Sequence, residues 1–157
     1  ILVCLVGSEM CIRDSKGETD KLINQKIKSA INAKLKVILC IGETLKEKRS
    51  GKTKSVLSKQ IKYGLDKIKI KTNLFIAYEP VWSIGTGKIL KPSELTQLVK
   101  FIKNKFKKKS PQILYGGSVN TSNINNLKNI EGLNGFLIGG ASQNAKNFID
   151  IVKKTYN

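Results

Sequence analysis

The sequence predicts an α/β fold in which about four parallel strands alternate with amphipathic helices in a single domain. From residue 16 onward, short runs that are apolar at every position alternate with longer segments whose apolar residues recur at helical spacing. Runs of this length without polar alternate positions, separated by amphipathic helices, are typical of parallel βαβ units whose strands are buried on both sides.

The first two helix and strand pairs occupy the first half of the chain. Thr19 is placed to cap a helix that precedes the strand "KVILCIG" at 36–42. Thr53 opens a second helix, whose apolar stripe extends to Ile68, and the strand "LFIAY" follows at 74–78.

The second half repeats this order. Pro92 starts a third helix that leads to the strand "ILY" at 113–115. A short helix near 121–128 precedes the strand "GFLIGG" at 135–140, and a last helix holds Phe148, Ile149 and Val152.

Each predicted strand ends in a polar or glycine-rich turn. These turns are Gly42-Glu43, Glu79-Pro80, Gly116-Gly117-Ser118 and Gly139-Gly140-Ala141-Ser142. Because the carboxyl ends of parallel strands share one rim of the sheet, we expect the turns to meet there and to form the ligand site.

Composition restricts the class of partner. The net charge is +18, from 29 basic and 11 acidic residues, and only Arg13 and Arg49 are arginine. Bidentate recognition of phosphates and bases favours arginine, and aromatics make up only 6% of the chain. We therefore interpret the charge as a solvated lysine-rich surface and expect no nucleic-acid partner. No run approaches the roughly 18 apolar residues of a membrane span, so no membrane partner is expected either.

Cysteine and histidine usage argues against disulfide and metal sites. Cys4, Cys11 and Cys40 are odd in number, form no CxxC pair and have no histidine to accompany them. A reducing cytoplasmic location fits this pattern best.

Residues 1–15, "ILVCLVGSEMCIRDS", stand apart from the alternation that follows. The stretch lacks an initiator methionine and resembles a translated sequencing adapter, and a native loop or strand is the alternative. We interpret residues 1–15 as a non-native tail and residues 16–157 as part of one domain.

The segment "AYEPVWSIGTG" at 77–87 places a lone carboxylate at the end of a buried strand. Loss of solvent there would raise the pKa of Glu79 and make it a better general base, whereas the alternative is a structural carboxylate paired with a lysine. The stiff residues 80–82 then lead into the small residues 83–87, a pattern typical of a hinged lid rather than of an ordinary βα loop.

The glycine-ended turns at 116–118 and 139–142 offer backbone N–H groups that could hold a phosphate. Each turn alone is weak evidence, but two on one rim indicate a phosphorylated ligand. The fragment at 85–88 is similar to a P-loop but fails its pattern, because Trp82 replaces the first glycine and Ile89 the Ser/Thr. No nucleotide cofactor is therefore implied.

Residues 77–87 resemble the signature of the triose-phosphate isomerase family at every position. The resemblance continues through "CIGET" at 40–44, "YGGSV" at 115–119 and "GFLIGGAS" at 135–142, in the family's order and spacing. It implies a (β/α)8 TIM barrel of about 250 residues, of which this chain carries the C-terminal portion only.

The resemblance also implies roles for individual residues. Glu79 would be the base that interconverts dihydroxyacetone phosphate and D-glyceraldehyde 3-phosphate through an enediol, in glycolysis and gluconeogenesis, without cofactor or metal. The family is itself a standard example of tuned acid–base groups beneath a closing lid. The parent protein would be a cytoplasmic homodimer. The implied substrate-binding residues are Gly85, Ser118, Gly139 and Gly140; the lid comprises Pro80, Val81, Trp82, Ser83, Ile84, Thr86, Gly87, Lys88, Ile89 and Leu90, supported by Glu43 and Tyr115.

Two features depart from the family pattern. The family polarises the substrate carbonyl with a histidine and a lysine from earlier strands, and this chain has no histidine. We therefore expect the chain alone to be inactive. The trailing lid residues 88–90 are bulkier than those that the family often uses. The alternatives are another phosphate-binding (β/α)8 enzyme, which would lack "YEPVW", and a basic binding module, which would need arginines or aromatics.

Overall fold

The computed structural model describes residues 17–69, 73–106 and 110–156, and it confirms the parallel α/β fold. The segment 1–15 lies outside the described residues, so its interpretation as a tail stays a prediction. The described strands form one parallel sheet in chain order, with bounds β1 Val37–Ile41, β2 Leu74–Tyr78, β3 Gln112–Tyr115 and β4 Gly135–Phe136.

Helices connect successive strands, as the sequence predicts. Their bounds are α1 Asp20–Asn32, α2 Leu45–Arg49, α3 Thr53–Gly64, α4 Pro92–Lys103, α5 Ile124–Leu127 and α6 Ala145–Tyr156, with 3₁₀ helices at Val81–Ser83 and Gly140–Gln143. The Thr19 hydroxyl caps α1 by accepting a hydrogen bond from Leu22 N at 3.2 Å, and Pro92 occupies the first turn of α4.

The predicted second helix extends too far toward its carboxyl end. The helix α3 ends at Gly64 rather than Ile68, and Leu65 caps it by donating to Ile61 O. Lys67 then adopts a left-handed conformation with φ of 57°, which breaks the helical path even though the apolar spacing continues.

The predicted six-residue strand at 135–140 is wrong in length, since β4 holds only Gly135–Phe136. Among the described residues β4 pairs with β3 alone, and one further bond, from Leu137 N to Tyr115 O at 2.9 Å, extends that pairing. The chain then turns into the 3₁₀ helix at Gly140–Gln143, so the ladder does not continue through the rest of the predicted strand.

The strand register brings the carboxyl ends to one rim. Ile41, Tyr78, Tyr115 and Phe136 lie side by side across the sheet. The ladder also continues one residue past β2, because Glu79 N donates to Ile41 O at 2.8 Å. The prediction that the turns share a rim is therefore confirmed.

Both faces of the sheet are buried. The larger core cluster lies on the face that carries Ile76 and Ile113, with α3 and α4 residues among its members. The smaller cluster holds Cys40, Phe75, Ala77 and Leu114 on the opposite face. Two-sided burial explains why the strands read as continuous apolar runs.

Candidate functional site

Glu79 lies at the centre of the rim, between the ends of β1 and β3. Only 5% of its surface is exposed. A Cβ added at Gly116 would lie 2.5 Å from Glu79 Cγ and Oε1, and one at Gly42 would lie 1.9 Å from Glu79 O. These two glycines therefore clear the space that the Glu79 backbone and carboxyl occupy. The sequence indicated turns at both glycines but not this close approach.

A glutamine from α3 fixes one wall of this space. Gln60 is buried, accepts a hydrogen bond from Gly42 N at 2.9 Å and donates one to Gly42 O at 2.9 Å. Sequence reasoning missed Gln60, although a polar residue directly before Ile61, on the buried stripe of α3, is a signal that could have identified it.

Glu43 and Trp82, which the sequence placed as lid support and lid, are in contact. Glu43 is fully buried, and its carboxylate accepts hydrogen bonds from Trp82 Nε1 at 2.9 Å and from Tyr78 Oη at 3.2 Å. The Glu43 carbonyl also accepts from Val81 N at 3.1 Å. The first residues of the lid are thus bonded to the turn after β1.

Burial governs the protonation of this cluster. Burial raises the pKa of Glu43, while hydrogen bonds from Trp82 and Tyr78 and the charge of Lys48 oppose the rise. Burial also raises the pKa of Tyr78 far above its ordinary value, and Glu43 adds to that effect. Tyr78 is therefore a neutral hydrogen-bond donor at any physiological pH.

Glu43→Gln should remove a pH dependence from the stability of the protein. The folded-state pKa of Glu43 lies above its ordinary value of 4.5, so the folded state binds the proton more tightly than the unfolded state does. The stabilisation that protonated Glu43 gives the folded state is fully present below the ordinary pKa of the carboxyl. It is lost as the pH rises through the pKa of Glu43 in the folded state. Urea denaturation across that window should show the wild-type free energy of unfolding falling relative to that of Glu43→Gln. A constant difference between the two proteins would contradict the assignment.

The lid tip is closed by its own hydrogen bonds. The buried Ser83 hydroxyl donates to Lys88 O, and Thr86 Oγ1 donates to Trp82 O at 3.1 Å. Gly85 and Gly87 have φ of 67° and 75°, a region that favours glycine, so the tip depends on both.

Ser118 fastens the lid to the turn after β3. Its Oγ accepts a hydrogen bond from Gly87 N at 3.0 Å and donates one to Ser83 O at 2.5 Å. Asn123, which sequence reasoning missed, holds this turn by donating from Nδ2 to Ser118 O at 2.8 Å. Residues 83–87 of the predicted lid are therefore bonded to the turn after β3.

Tyr115 lies beneath the lid and is fully buried. Burial raises the pKa of its hydroxyl, and the nearby Ser83 hydroxyl and Leu90 backbone oppose the rise. Among the described residues its oxygen has no hydrogen-bond partner in good geometry. A Cβ at Gly117 would lie 2.2 Å from that oxygen, so the tyrosine fills the space that the glycine leaves.

Gly139 and Gly140 are exposed at the same rim, beyond β4. A Cβ added at either position would meet no atom of the described residues within 4 Å, so those residues leave the space in front of this turn open. Ser142 closes the turn by donating to Gly139 O from its backbone N at 2.9 Å and from its hydroxyl at 2.7 Å.

The described parts of the chain show neither a candidate metal-ligand cluster nor a candidate membrane span. No group of three or more His, Cys, Asp or Glu side chains there could hold a metal ion. No helix there is both long and apolar enough to cross a bilayer.

Comparison with known proteins gives one consistent family. The family model described as triosephosphate isomerase matches residues 4–155. Curated triosephosphate isomerases from Mycoplasmopsis pulmonis and Chloroherpeton thalassium are each 43% identical to this chain and cover 92% and 87% of it. A crystal structure of triosephosphate isomerase from Bartonella henselae matches with a TM-score of 0.84 and 32% identity, covering 97% of this chain and 63% of that chain.

The chain spans 57% and 58% of the length of those two curated relatives. The family match begins at residue 4, inside the segment that we interpret as a tail. The origin of residues 1–15 therefore stays a prediction.

Proposed function

The chain belongs to the triosephosphate isomerase family, and we propose that it is the C-terminal part of an enzyme that interconverts dihydroxyacetone phosphate and D-glyceraldehyde 3-phosphate. The observation that carries this proposal is the position of Glu79. Its buried carboxyl lies at the rim, in space cleared by Gly42 and Gly116 and next to a lid closed onto the following turn.

The proposed chemistry needs one group that takes up and returns a proton. The Glu79 carboxylate removes a proton from the hydroxyl-bearing carbon beside the carbonyl, the electron pair left behind forms a C=C bond, and the carbonyl oxygen takes up a proton to give the enediol. Glu79 then returns its proton to the former carbonyl carbon while the other hydroxyl loses its proton and becomes the new carbonyl, so the proton gained at one oxygen balances the proton lost at the other. The exclusion of water by the lid protects this intermediate, and by family resemblance a histidine and a lysine from earlier strands polarise the carbonyl.

The proposed phosphate site lies where the lid meets two glycine turns. Ser118 already binds the lid through Gly87, and the open turn at Gly139 and Gly140 lies on the next strand of the same rim. With Gly85 at the lid tip, these residues offer backbone N–H and hydroxyl donors of the kind that phosphate groups require. In the complete enzyme we further propose a homodimer in the cytoplasm.

Inorganic phosphate should raise the melting temperature of the completed protein, by which we mean residues 17–157 joined to the N-terminal portion of a curated relative. A ligand that binds only the folded state stabilises it by mass action. Because a Cβ at Gly139 meets no atom within 4 Å in the part of the chain that the structure describes, Gly139→Ala should keep the unliganded melting temperature and weaken the phosphate effect. Differential scanning calorimetry at several phosphate concentrations measures both.

The matched control is Gly64→Ala on α3, where the new Cβ makes ordinary contacts at 3.5 Å, far from the rim. It should leave the phosphate effect unchanged. Protection that uncharged sugars give equally, or that Gly139→Ala leaves intact, would contradict this phosphate site.

A further inference from the structure

Lys48 contacts the lid at a point that the proposed reaction does not use. Its ammonium group lies over the Trp82 ring, 4.2 Å from the ring centroid. The same group forms an ion pair with Glu94 Oε1 at 2.8 Å. Its side chain is 27% exposed, so the pair is partly shielded from solvent.

The two partners of Lys48 lie near opposite ends of the lid segment 80–90. Trp82 belongs to the leading segment, and Glu94 lies in the first turn of α4, which begins directly after Leu90 and Lys91. The Lys48 side chain therefore links Trp82, near the start of the lid, to the first turn of α4, the helix that follows the end of the lid.

The backbone around Lys48 is itself fixed. A capping box joins Thr44 and Glu47, with Thr44 N donating to Glu47 Oε2 at 2.8 Å, and Lys48 N donates to Thr44 O at 3.0 Å. The short helix α2 follows Glu43 directly, so it presents Lys48 to the indole whose Nε1 donates to Glu43.

We propose that Lys48 is a positioning residue for the lid, which holds the Trp82 ring in the plane from which its Nε1 donates to Glu43. The hydrogen bond holds the N–H edge of the indole, and the ring also packs against the larger core cluster. The cation adds a contact on the ring face, where it opposes tilting of the ring, and Glu94 fixes the cation. Lys48 thus favours the closed lid without touching substrate. Its kinetic consequence rests on the proposed function, whereas its effect on the indole does not.

The test uses Lys48→Met in the completed protein, which keeps the length of the side chain and removes its charge. With 5-fluorotryptophan incorporated, the ¹⁹F resonance of Trp82, assigned by its loss in Trp82→Phe, should shift or broaden without substrate. The KM should rise and kcat/KM should fall about three- to tenfold, the range expected for a partly desolvated cation over an indole. Lys48→Arg, which can stack and pair in the same way, should restore both signals.

Lys100→Met is the matched control, because it breaks another 2.8 Å ion pair, with Glu131, that lies exposed and away from the lid. It should change neither the resonance nor KM. If Lys48→Met has no more effect than Lys100→Met on the Trp82 resonance, the inference is wrong. An unaltered completed protein that lacks isomerase activity would overturn the proposed function instead, and the resonance would still test Lys48.

Discussion

Replacing Glu79 by glutamine in the completed protein should lower kcat by about two to four orders of magnitude, the usual worth of a positioned general base. The amide has nearly the shape of the carboxyl, so the group still fits against Gly116, but it cannot accept the substrate proton. The fold should persist, because Glu79 N still donates to Ile41 O. A coupled isomerase assay measures the rate, and circular dichroism measures the fold.

Glu131→Gln supplies the control for this experiment. It makes the same chemical change at a side chain that is 77% exposed and paired with Lys100. Its rate should match that of the wild type. A Glu79→Gln protein with the wild-type rate would remove Glu79 from the proposed mechanism.

Residues 17–157 alone should show no measurable isomerase activity, and activity should appear when the N-terminal portion of a relative is added. The chain holds no histidine to polarise the carbonyl. Losing one such donor typically costs about two to three orders of magnitude in rate. Among the described residues, β1 and β4 each pair on one side only, so the remaining strands of a barrel would have open edges to join.

The control for complementation is the same mixture made with Glu79→Gln. If the restored activity comes from a barrel that both pieces form together, the Glu79→Gln mixture should lose activity by the same factor as the completed Glu79→Gln protein. If residues 17–157 are active alone, or if the Glu79→Gln mixture is as active as the wild-type mixture, the proposed roles of the missing strands and of Glu79 are wrong.

The sequence predicted best those elements that local pattern determines. The run "LFIAY" is β2 residue for residue, and Thr19 and Pro92 mark the starts of α1 and α4 as expected. Burial on both faces leaves a continuous apolar run, and caps act within one turn of a helix. The shared rim of the carboxyl strand ends could also be predicted, because helices that alternate with strands connect them as parallel crossovers.

What the sequence did not predict depends on contacts between distant segments. In the sequence Gln60 is simply a polar residue on a predicted helix. Its role is shown only by its two hydrogen bonds to Gly42 in the structure. Lys48 is one of many lysines, and only the packing of α2 beside the lid selects it. Spacing along the chain also cannot show that β4 stops at Phe136, because its length depends on which strands lie beside it.

In the proposed mechanism, Glu79 carries a substrate proton between two carbons. The most direct measurement incubates dihydroxyacetone phosphate with the completed protein in D₂O and follows the products by NMR. A single carboxyl that takes up and returns the proton can exchange it with solvent, so D-glyceraldehyde 3-phosphate should carry deuterium at the carbon that receives it, and Glu79→Gln should form almost none. Incorporation of deuterium by Glu79→Gln at the wild-type rate would contradict this assignment, because the proton would then not pass through Glu79.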